Sequence, residues 1–438
     1  MTLEQAEAWL ASLINVERMP DLRRARLSLA PIQALLAELG HPERGLRILH
    51  VAGSKGKGST ALFAEALLGA AGLVVGTYTS PHLESWVERF RIAGRNVDGE
   101  RLAAAVARIQ PIVERRRAEP DAPSFFDVTT AAGLLLFAEA DVDAAILEVG
   151  LGGRLDSTNA VTPAVTCVTS IELEHTDKLG DTLGAIAAEK AGIAKPGVPL
   201  VMGPLGDEAA QVVGARCAEV GAPLVRLGKD FGLELRDHAE GRAALRFVDG
   251  SLEVEADLTA PGRHQAVNAA LALACVRRLG LIPDEALGEL APEALRGVRL
   301  PGRVEIVSRA PWIVIDGAHT AASARALAEV LRELPHRRGL FVLSISSGKD
   351  LHEICAALLP HGDRFIVTRA EAARSREPEE VAALLRSLAP DSEVEVVVAP
   401  REALRRARAE CGPNDLLCAT GSIYLAGIAR TLLGAAAT

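Results

Sequence analysis

Short apolar runs rich in Val, Ile and Leu alternate along this chain with longer segments whose apolar positions recur at helical spacing. The alternation predicts an α/β fold, a parallel sheet with helices on both faces. Strands are expected at Leu46–Ala52, Ala144–Val149, Ala164–Ile171 and Pro199–Met202, with helices over 127–140 and 181–194. Between about 231 and 258 the period changes to in-out alternation, and Asp249-Gly250 between LRFV and LEVE is a hairpin signal. An antiparallel flap or edge is expected there. The helical stretch HQAVNAALALACVRRLG closes the first half, and RGVRLPGR (296–303) reads as a linker. A second α/β series follows from 313. Its strands are WIVIDGA, LFVLSIS, RFIVTRA, EVEVVVA and DLLCATG, and its helices lie near 321–333, 351–359, 376–388 and 401–411. The pattern predicts two α/β units of unequal size, a larger one over 1–295 and a smaller one over 304–438.

Composition narrows the function classes. The chain has 438 residues, 49% hydrophobic and 24% charged, as in globular proteins, and its length allows two or three domains. Aromatic residues make up 3% and the net charge is −9, which leaves little for base stacking and opposes a phosphate backbone; nucleic acid is not expected as a partner. The N-terminal MTLEQAEAWLASL lacks the basic start and apolar core of a signal peptide, and no apolar run approaches the roughly 18 residues of a membrane span. Six cysteines lie scattered without paired spacing, so neither a disulfide framework nor a zinc site is expected. A cytoplasmic protein without a membrane partner follows from these features.

The strongest candidate chemistry is Gly53-Ser54-Lys55-Gly56-Lys57-Gly58-Ser59, between a strand and a helix. Glycines let successive N–H groups face phosphate oxygens, the helix N-terminus adds its positive dipole end, and Lys57 can reach the outer phosphates. The loop is shorter than the usual phosphate loop between its first glycine and its Gly-Lys pair. Only seven of the 48 basic residues are lysine, so two lysines within three residues suggest a point-charge contact that arginine's fork would not serve. Glu148 leaves an apolar strand just before a glycine turn, where open α/β sheets bind ligands, and suits a magnesium ligand or a base. Glu174-His175-Thr176-Asp177 follows another strand, and Glu189-Lys190 sits near the end of the next helix. Ser80 precedes a proline and offers a hydroxyl to a metal. Asn268, Arg303, Asp316 and His319 are each ordinary alone. As a set near a domain junction they fit a ligand cleft.

In chain order, HVAGSKGKGST, TSPHLESWVERFRI, SFFDVTTAAGLLLF, LEVGLGGRLDSTN, ELEHTDKLGDTLGAIAAEKAGI, GRHQAVNAALA, LPGRVE, IDGAH and TGSIYLAG resemble the folylpolyglutamate synthase and dihydrofolate synthase family, relatives of the Mur ligases. The resemblance implies an N-terminal ATPase domain with a phosphate loop, a C-terminal Rossmann-like domain, and addition of L-glutamate to dihydropteroate, to reduced folates or to both through an acyl phosphate. It implies ATP contacts at Gly53, Ser54, Gly56, Lys57, Gly58, Ser59, Asn268, Arg303 and Asp316. Ser80, Glu148 and His175 correspond to ligands of one magnesium ion, and Lys190 to a carbamylated lysine that helps hold a second. Lys57, Lys190 and His319 carry catalytic roles, and Phe125, Phe126, Asp127, Leu155, Asp156 and Ser157 fall in the pterin-binding positions. A monomer is the family expectation.

Three departures stand out. Ser54 and Lys55 replace the family's Thr-Asn, Thr320 replaces the asparagine after the DGAH histidine, and DLRRARLSLAPIQALLAELG stands where relatives tend to carry a shorter L-G-L-x-R segment of the pterin site. They leave a Mur-type ligase for another carboxylate acceptor, or a nucleotide-binding homologue without catalysis, as the alternatives. The roughly 45 residues before the loop are too few for the Mur ligases' extra UDP-binding domain.

Overall fold

A computed structural model of the chain describes residues 1–14, 28–237 and 242–434. Of the unusual segment 21–40, residues 21–27 lie outside the described residues; the rest leads into a helix. By internal contacts the chain divides into two compact units. The first comprises Met1–Glu234, Leu245–Ala256 and Val267–Gly297; the second comprises Leu235–Ala244, Asp257–Ala266 and Val298–Thr438.

The first unit is built on strands β1 (Ile48–Ala52), β2 (Val75–Tyr78), β3 (Phe90–Ile92), β4 (Arg95–Asn96), β5 (Ala144–Glu148), β6 (Val165–Val168), β7 (Leu200–Met202) and β8 (Leu224–Arg226). They form one sheet in the order β4-β3-β2-β5-β1-β6-β7-β8. From β2 to β8 the pairing is parallel, and β3 and β4 add an antiparallel edge. Strand β1 is buried at every position, as a central parallel strand covered on both faces must be, which is why its sequence is apolar apart from His50. The chain crosses from one side of β1 to the other between β5 and β6. In open α/β sheets that switch point opens a crevice beyond the strands' carboxyl ends.

Helices α1 (Leu3–Ala11), α2 (Ala30–Glu38), α3 (Lys57–Ala70), α4 (Gly99–Arg116), α5 (Phe125–Glu139), α6 (Thr176–Leu179), α7 (Leu183–Ala191) and α8 (Asp207–Val220) connect and cover these strands. Ser124 starts α5 with a capping box closed by Asp127, and most of that helix is buried all round, hence its weak amphipathicity. It can sit so close because Gly76 of β2 has no side chain: a Cβ there would meet the Phe137 ring at 2.5 Å. A three-stranded sheet, β9 (Gly232–Asp237), β10 (Arg242–Asp249) and β11 (Leu252–Pro261), contains the expected Asp249-Gly250 turn. Burial alternates along β11, and Arg277 and Arg278 both bind Asp249. Helices α9 (Arg263–Leu279) and α10 (Asp284–Arg296) follow.

The second unit carries a six-stranded sheet of β12 (Glu305–Arg309), β13 (Trp312–Ile315), β14 (Gly339–Leu343), β15 (Arg364–Val367), β16 (Glu393–Val396) and β17 (Leu416–Thr420). Its order is β12-β13-β17-β14-β15-β16, antiparallel only between β12 and β13. Helices α11 (Ala321–Glu333), α12 (Leu351–Leu358), α13 (Pro378–Leu388), α14 (Pro400–Glu410) and α15 (Ile423–Leu433) accompany it. Its core joins Val314, Leu327, Phe341, Phe365, Leu385 and Leu416.

Candidate functional site

At the carboxyl end of β1 the backbone turns through Gly53, with φ +149°, to Gly56, with φ +85°, and Lys57 opens α3. Both glycines are required by space as well as conformation. A Cβ on Gly53 would lie 1.9 Å from Thr169 Oγ1, and one on Gly56 would lie 2.2 Å from Asn268 Oδ1. The loop is tied to the end of β6: Ser54 N–H donates to Ser170 O and Lys55 N–H to Ser170 Oγ, each at 2.8 Å. Ser59 is buried in the first turn of α3, beside Gly58. Lys57 Nζ folds back to donate to Gly53 O at 2.8 Å and Ser54 O at 3.4 Å.

Lys190 arrives from the last turn of α7 and is almost fully buried. Its Nζ donates to Gly53 O and to Glu174 Oε1, both at 3.0 Å, while Lys55 Nζ stands 3.6 Å from Glu174 Oε2. Burial pulls the Lys190 ammonium down to about 8, with Glu174 opposing and Lys57 and Lys55 assisting. Burial alone would raise Glu174, but Lys190, Lys57, Lys55 and His175 outweigh it and hold that carboxyl down at about 2. A buried anion here balances a group of lysines beside a phosphate-type loop.

Ser80 and Glu148 meet at the carboxyl ends of β2 and β5: Ser80 N–H donates to Glu148 Oε2 at 3.0 Å, and the Ser80–Pro81 bond is cis. His175 is exposed at the left-handed N-cap of α6. Among the described residues no group of three or more His, Cys, Asp and Glu side chains could hold a metal by itself. A serine hydroxyl, one carboxylate and one imidazole suit a magnesium ion that takes further oxygens from phosphate, since magnesium usually binds through one or two carboxylates plus substrate phosphates. The Ser80 and Glu148 oxygens, brought together by their hydrogen bond, fit such an ion on those terms.

The candidate acceptor segments also come together. Ser157 Oγ donates to Asp127 Oδ1 at 2.6 Å, joining the loop after β5 to the first turn of α5. Asp156 takes N–H groups from Leu151 and Thr158 at 2.8 and 3.0 Å, and Leu155 is half-buried on the same loop. Burial raises Asp127 against its Ser157 and Ser124 bonds, and raises Asp156 to about 6 against Thr158 and the backbone donors. Phe126 lies 6.0 Å from Tyr78, and Phe125 meets Trp86 edge-on at 5.1 Å.

In the second unit, Asp316 fixes the turn after β13, accepting from Val304 N and Ala318 N at 2.7 Å each. Arg303, next to Val304, donates to Pro301 O at 3.3 Å, and His319 Nδ1 lies 2.9 Å from Gly317 O. Thr320 is the N-cap of α11 and shares a capping box with Ser323.

Residues 51–276 match the Mur ligase middle domain, and residues 302–423 match the Mur ligase glutamate ligase domain. A dihydrofolate synthase/folylpolyglutamate synthase of Mycobacterium tuberculosis is 35% identical, over 97% of this chain and 94% of that protein. The solved structure of M. tuberculosis folylpolyglutamate synthase with ADP and AMPPCP superposes with TM-score 0.88 at 33% identity, covering 99% of this chain and 98% of that one. E. coli FolC with DHPP and ADP gives 0.87 at 30%, covering 100% and 99%.

The chain belongs to the folylpolyglutamate synthase and dihydrofolate synthase family of Mur ligases.

Within that family its span varies. The chain covers about half the length of the haloarchaeal relatives, as with the probable bifunctional folylpolyglutamate synthase/dihydropteroate synthase of Halobacterium salinarum, where 38% identity extends over 91% of this chain and 48% of that protein. Three side chains at this synthase-family site were given no role of their own from sequence, although Glu174 was named with its motif. Glu174 is the anion between the lysines. Arg89 is buried with its guanidinium 5.2 Å from the Phe125 ring and 5.8 Å from Trp86, and its Nε donates to His82 Nδ1 at 3.0 Å. Trp86 itself packs on Phe125. The SPHLESWVERF stretch containing Trp86 and Arg89 was the available hint.

Proposed function

We propose that this chain is an ATP-dependent ligase that adds L-glutamate to a folate-type carboxylate, dihydropteroate, a reduced folate or both, through an acyl phosphate. The observation that carries the proposal is the convergence of Lys57 and Lys190 on Gly53 O at the start of a glycine loop, with Glu174 between the lysines. The relatives named above, with ADP, AMPPCP or DHPP in their solved structures, support the same reading.

In this reading the N–H groups of Gly53–Ser59 cradle the ATP phosphates, and Lys57 swings from its loop carbonyls to the outer phosphate. Asn268, beside Gly56, Arg303 and Asp316 serve the nucleotide, and His319 orients the acyl phosphate or the incoming amine. Ser80, Glu148 and His175 would hold one magnesium ion, and carbamylated Lys190 would contribute to a second. The metal, when bound, neutralises charge on the transferring phosphoryl group. Carbamylation needs a neutral amine. With its ammonium at about 8, Lys190 supplies that form near neutral pH far more readily than an ordinary lysine, and arginine could not supply it. Phe125, Phe126, Asp127, Leu155, Asp156 and Ser157 receive the pterin, with Tyr78 and Trp86 extending the aromatic surface.

The enzyme is taken to act as a monomer in the cytoplasm, a compartment that suits six free, buried cysteines. No described helix is long and apolar enough to cross a membrane. Purified protein with ATP, magnesium, L-glutamate and either dihydropteroate or tetrahydrofolate tests the proposal. Acceptor-dependent phosphate release with a glutamylated product is expected; absence of turnover with both acceptors overturns it.

A further inference from the structure

One buried histidine has no part in the reading above. His50 lies on β1 three residues before Gly53 and is fully buried. Its Nε2 sits 2.8 Å from Thr158 Oγ1, and Thr158 Oγ1 in turn donates to Asp156 Oδ1. The direction of this chain follows from its protons. A carboxylate can only accept, so the single hydroxyl proton of Thr158 goes to Asp156. Thr158 must therefore accept from His50, which makes Nε2 the protonated nitrogen. Nδ1 is consistent with that assignment: it is buried and has no hydrogen-bond partner, as suits a bare lone pair better than an N–H. Burial and the charge of Lys195 keep the ring neutral, holding it down at about 3.

The chain ends on a loop with neighbours that matter. Arg154 N–H donates to Glu189 O at 2.8 Å, and Asn159 Nδ2 donates to Gly192 O at 3.2 Å, so the loop is fastened to the end of α7 that carries Lys190. A Cβ on Gly153 would lie 2.9 Å from Glu189 O and 3.0 Å from Lys190 O. On its other side Ser157 reaches Asp127. Asp156 ties the loop to itself through Leu151 and Thr158, and the His50–Thr158 link anchors that tie to the strand feeding the phosphate loop.

We propose that His50 is a positioning residue: by donating Nε2–H to Thr158 it aims the Thr158 hydroxyl at Asp156 and holds residues 150–159 in the conformation that receives the acceptor. The inference rests on the reading of Leu155, Asp156 and Ser157 as part of the acceptor site.

The test pairs a spectroscopic arm with a binding arm, both on the full chain at pH 8. In 15N-histidine-labelled protein, with the His50 signals assigned by their loss in His50→Gln, the Nε2–H tautomer is expected, without titration between pH 6 and 8. An Nδ1–H tautomer overturns the proposal. In calorimetry with ADP and magnesium, Thr158→Val is expected to weaken dihydropteroate or tetrahydrofolate binding at least tenfold, with ADP affinity within twofold and Thr158→Ser returning within threefold of the parent. Acceptor affinity unchanged in Thr158→Val, or acceptor and ADP affinities falling in parallel, overturns it. Should the parent protein bind ADP but neither pterin, the acceptor reading itself falls, and the acceptor-positioning role falls with it, while the tautomer still reports whether the His50–Thr158–Asp156 chain exists.

Discussion

Lys190 Nζ and Glu174 Oε1 lie 3.0 Å apart in a buried pocket whose other wall is the carbonyl of Gly53. This pair sets the charge state of the lysine. Glu174 favours the ammonium, while burial and two neighbouring lysines favour the free amine. The balance lies near the pH at which a cell works, and a small change in ligand or partner tips it.

Removing the lysine separates chemistry from nucleotide binding. Lys190→Ala is expected to lower turnover at least a hundredfold while leaving the ADP dissociation constant within about threefold. Lys190→Arg is expected to be equally inactive, because a guanidinium keeps the charge but forms no carbamate. Steady-state kinetics beside calorimetry checks both, and an active Lys190→Ala enzyme contradicts the assigned role.

The pair also predicts an acid limb of stability. The carboxyl of Glu174 sits at about 2 when folded against an ordinary 4.5, so its contribution is complete above pH 4.5 and is lost as pH falls from there toward 2. The stability difference between the parent protein and Glu174→Gln should shrink over that interval. Lys190 has the same sign at the alkaline end: with its folded value at about 8 against 10.5, its protonation costs stability below pH 8, and the cost disappears as pH rises from 8 to 10.5. Denaturant unfolding of the two variants across pH measures each limb.

A methyl group at Gly56 meets both a left-handed backbone and the amide oxygen of Asn268 at 2.2 Å. Gly56→Ala is expected to weaken ADP binding at least tenfold and to destabilise the first unit by about 1–3 kcal/mol, the usual range for a strained backbone position. Calorimetry and urea denaturation check the two effects.

Thr320 departs from the family's asparagine, and its place as the cap of α11 accounts for the tolerance, since both residues are good N-caps. Thr320→Ala should cost about 1 kcal/mol, within the 0.5–2 kcal/mol range of lost caps. Thr320→Asn should be nearly neutral in stability. Thermal unfolding distinguishes them, and turnover of the asparagine variant shows whether the missing amide limits the reaction.

Much of this architecture was readable because burial imposes it. A strand covered on both faces is mostly apolar, so β1, β5 and β13 announced themselves despite His50 in β1 and Glu148 at the end of β5, and a glycine loop directly after β1 marked its own chemistry. The edge strands β3 and β4 were not legible: they are short and contain Arg91, Arg95 and Asn96, which face partial or full solvent. Helix α4 keeps its apolar period through Leu102, Val106, Ile109 and Val113, but Pro111 in its interior reads as a stop. Glu174 was quoted with its motif, but its importance depends on Lys190 a helix away and on Lys55 and Lys57 far earlier in the chain. Arg89 likewise reads as a surface charge until Phe125 and Trp86 are seen to close over it.

The acceptor decides the account. With ATP, magnesium and L-glutamate, an acceptor panel of dihydropteroate, tetrahydrofolate and a UDP-linked peptidoglycan precursor should give phosphate release matched by glutamylated product for at least one pterin and none for the precursor. Turnover with the precursor alone, or ATP binding without any acceptor-dependent phosphate release, would contradict it.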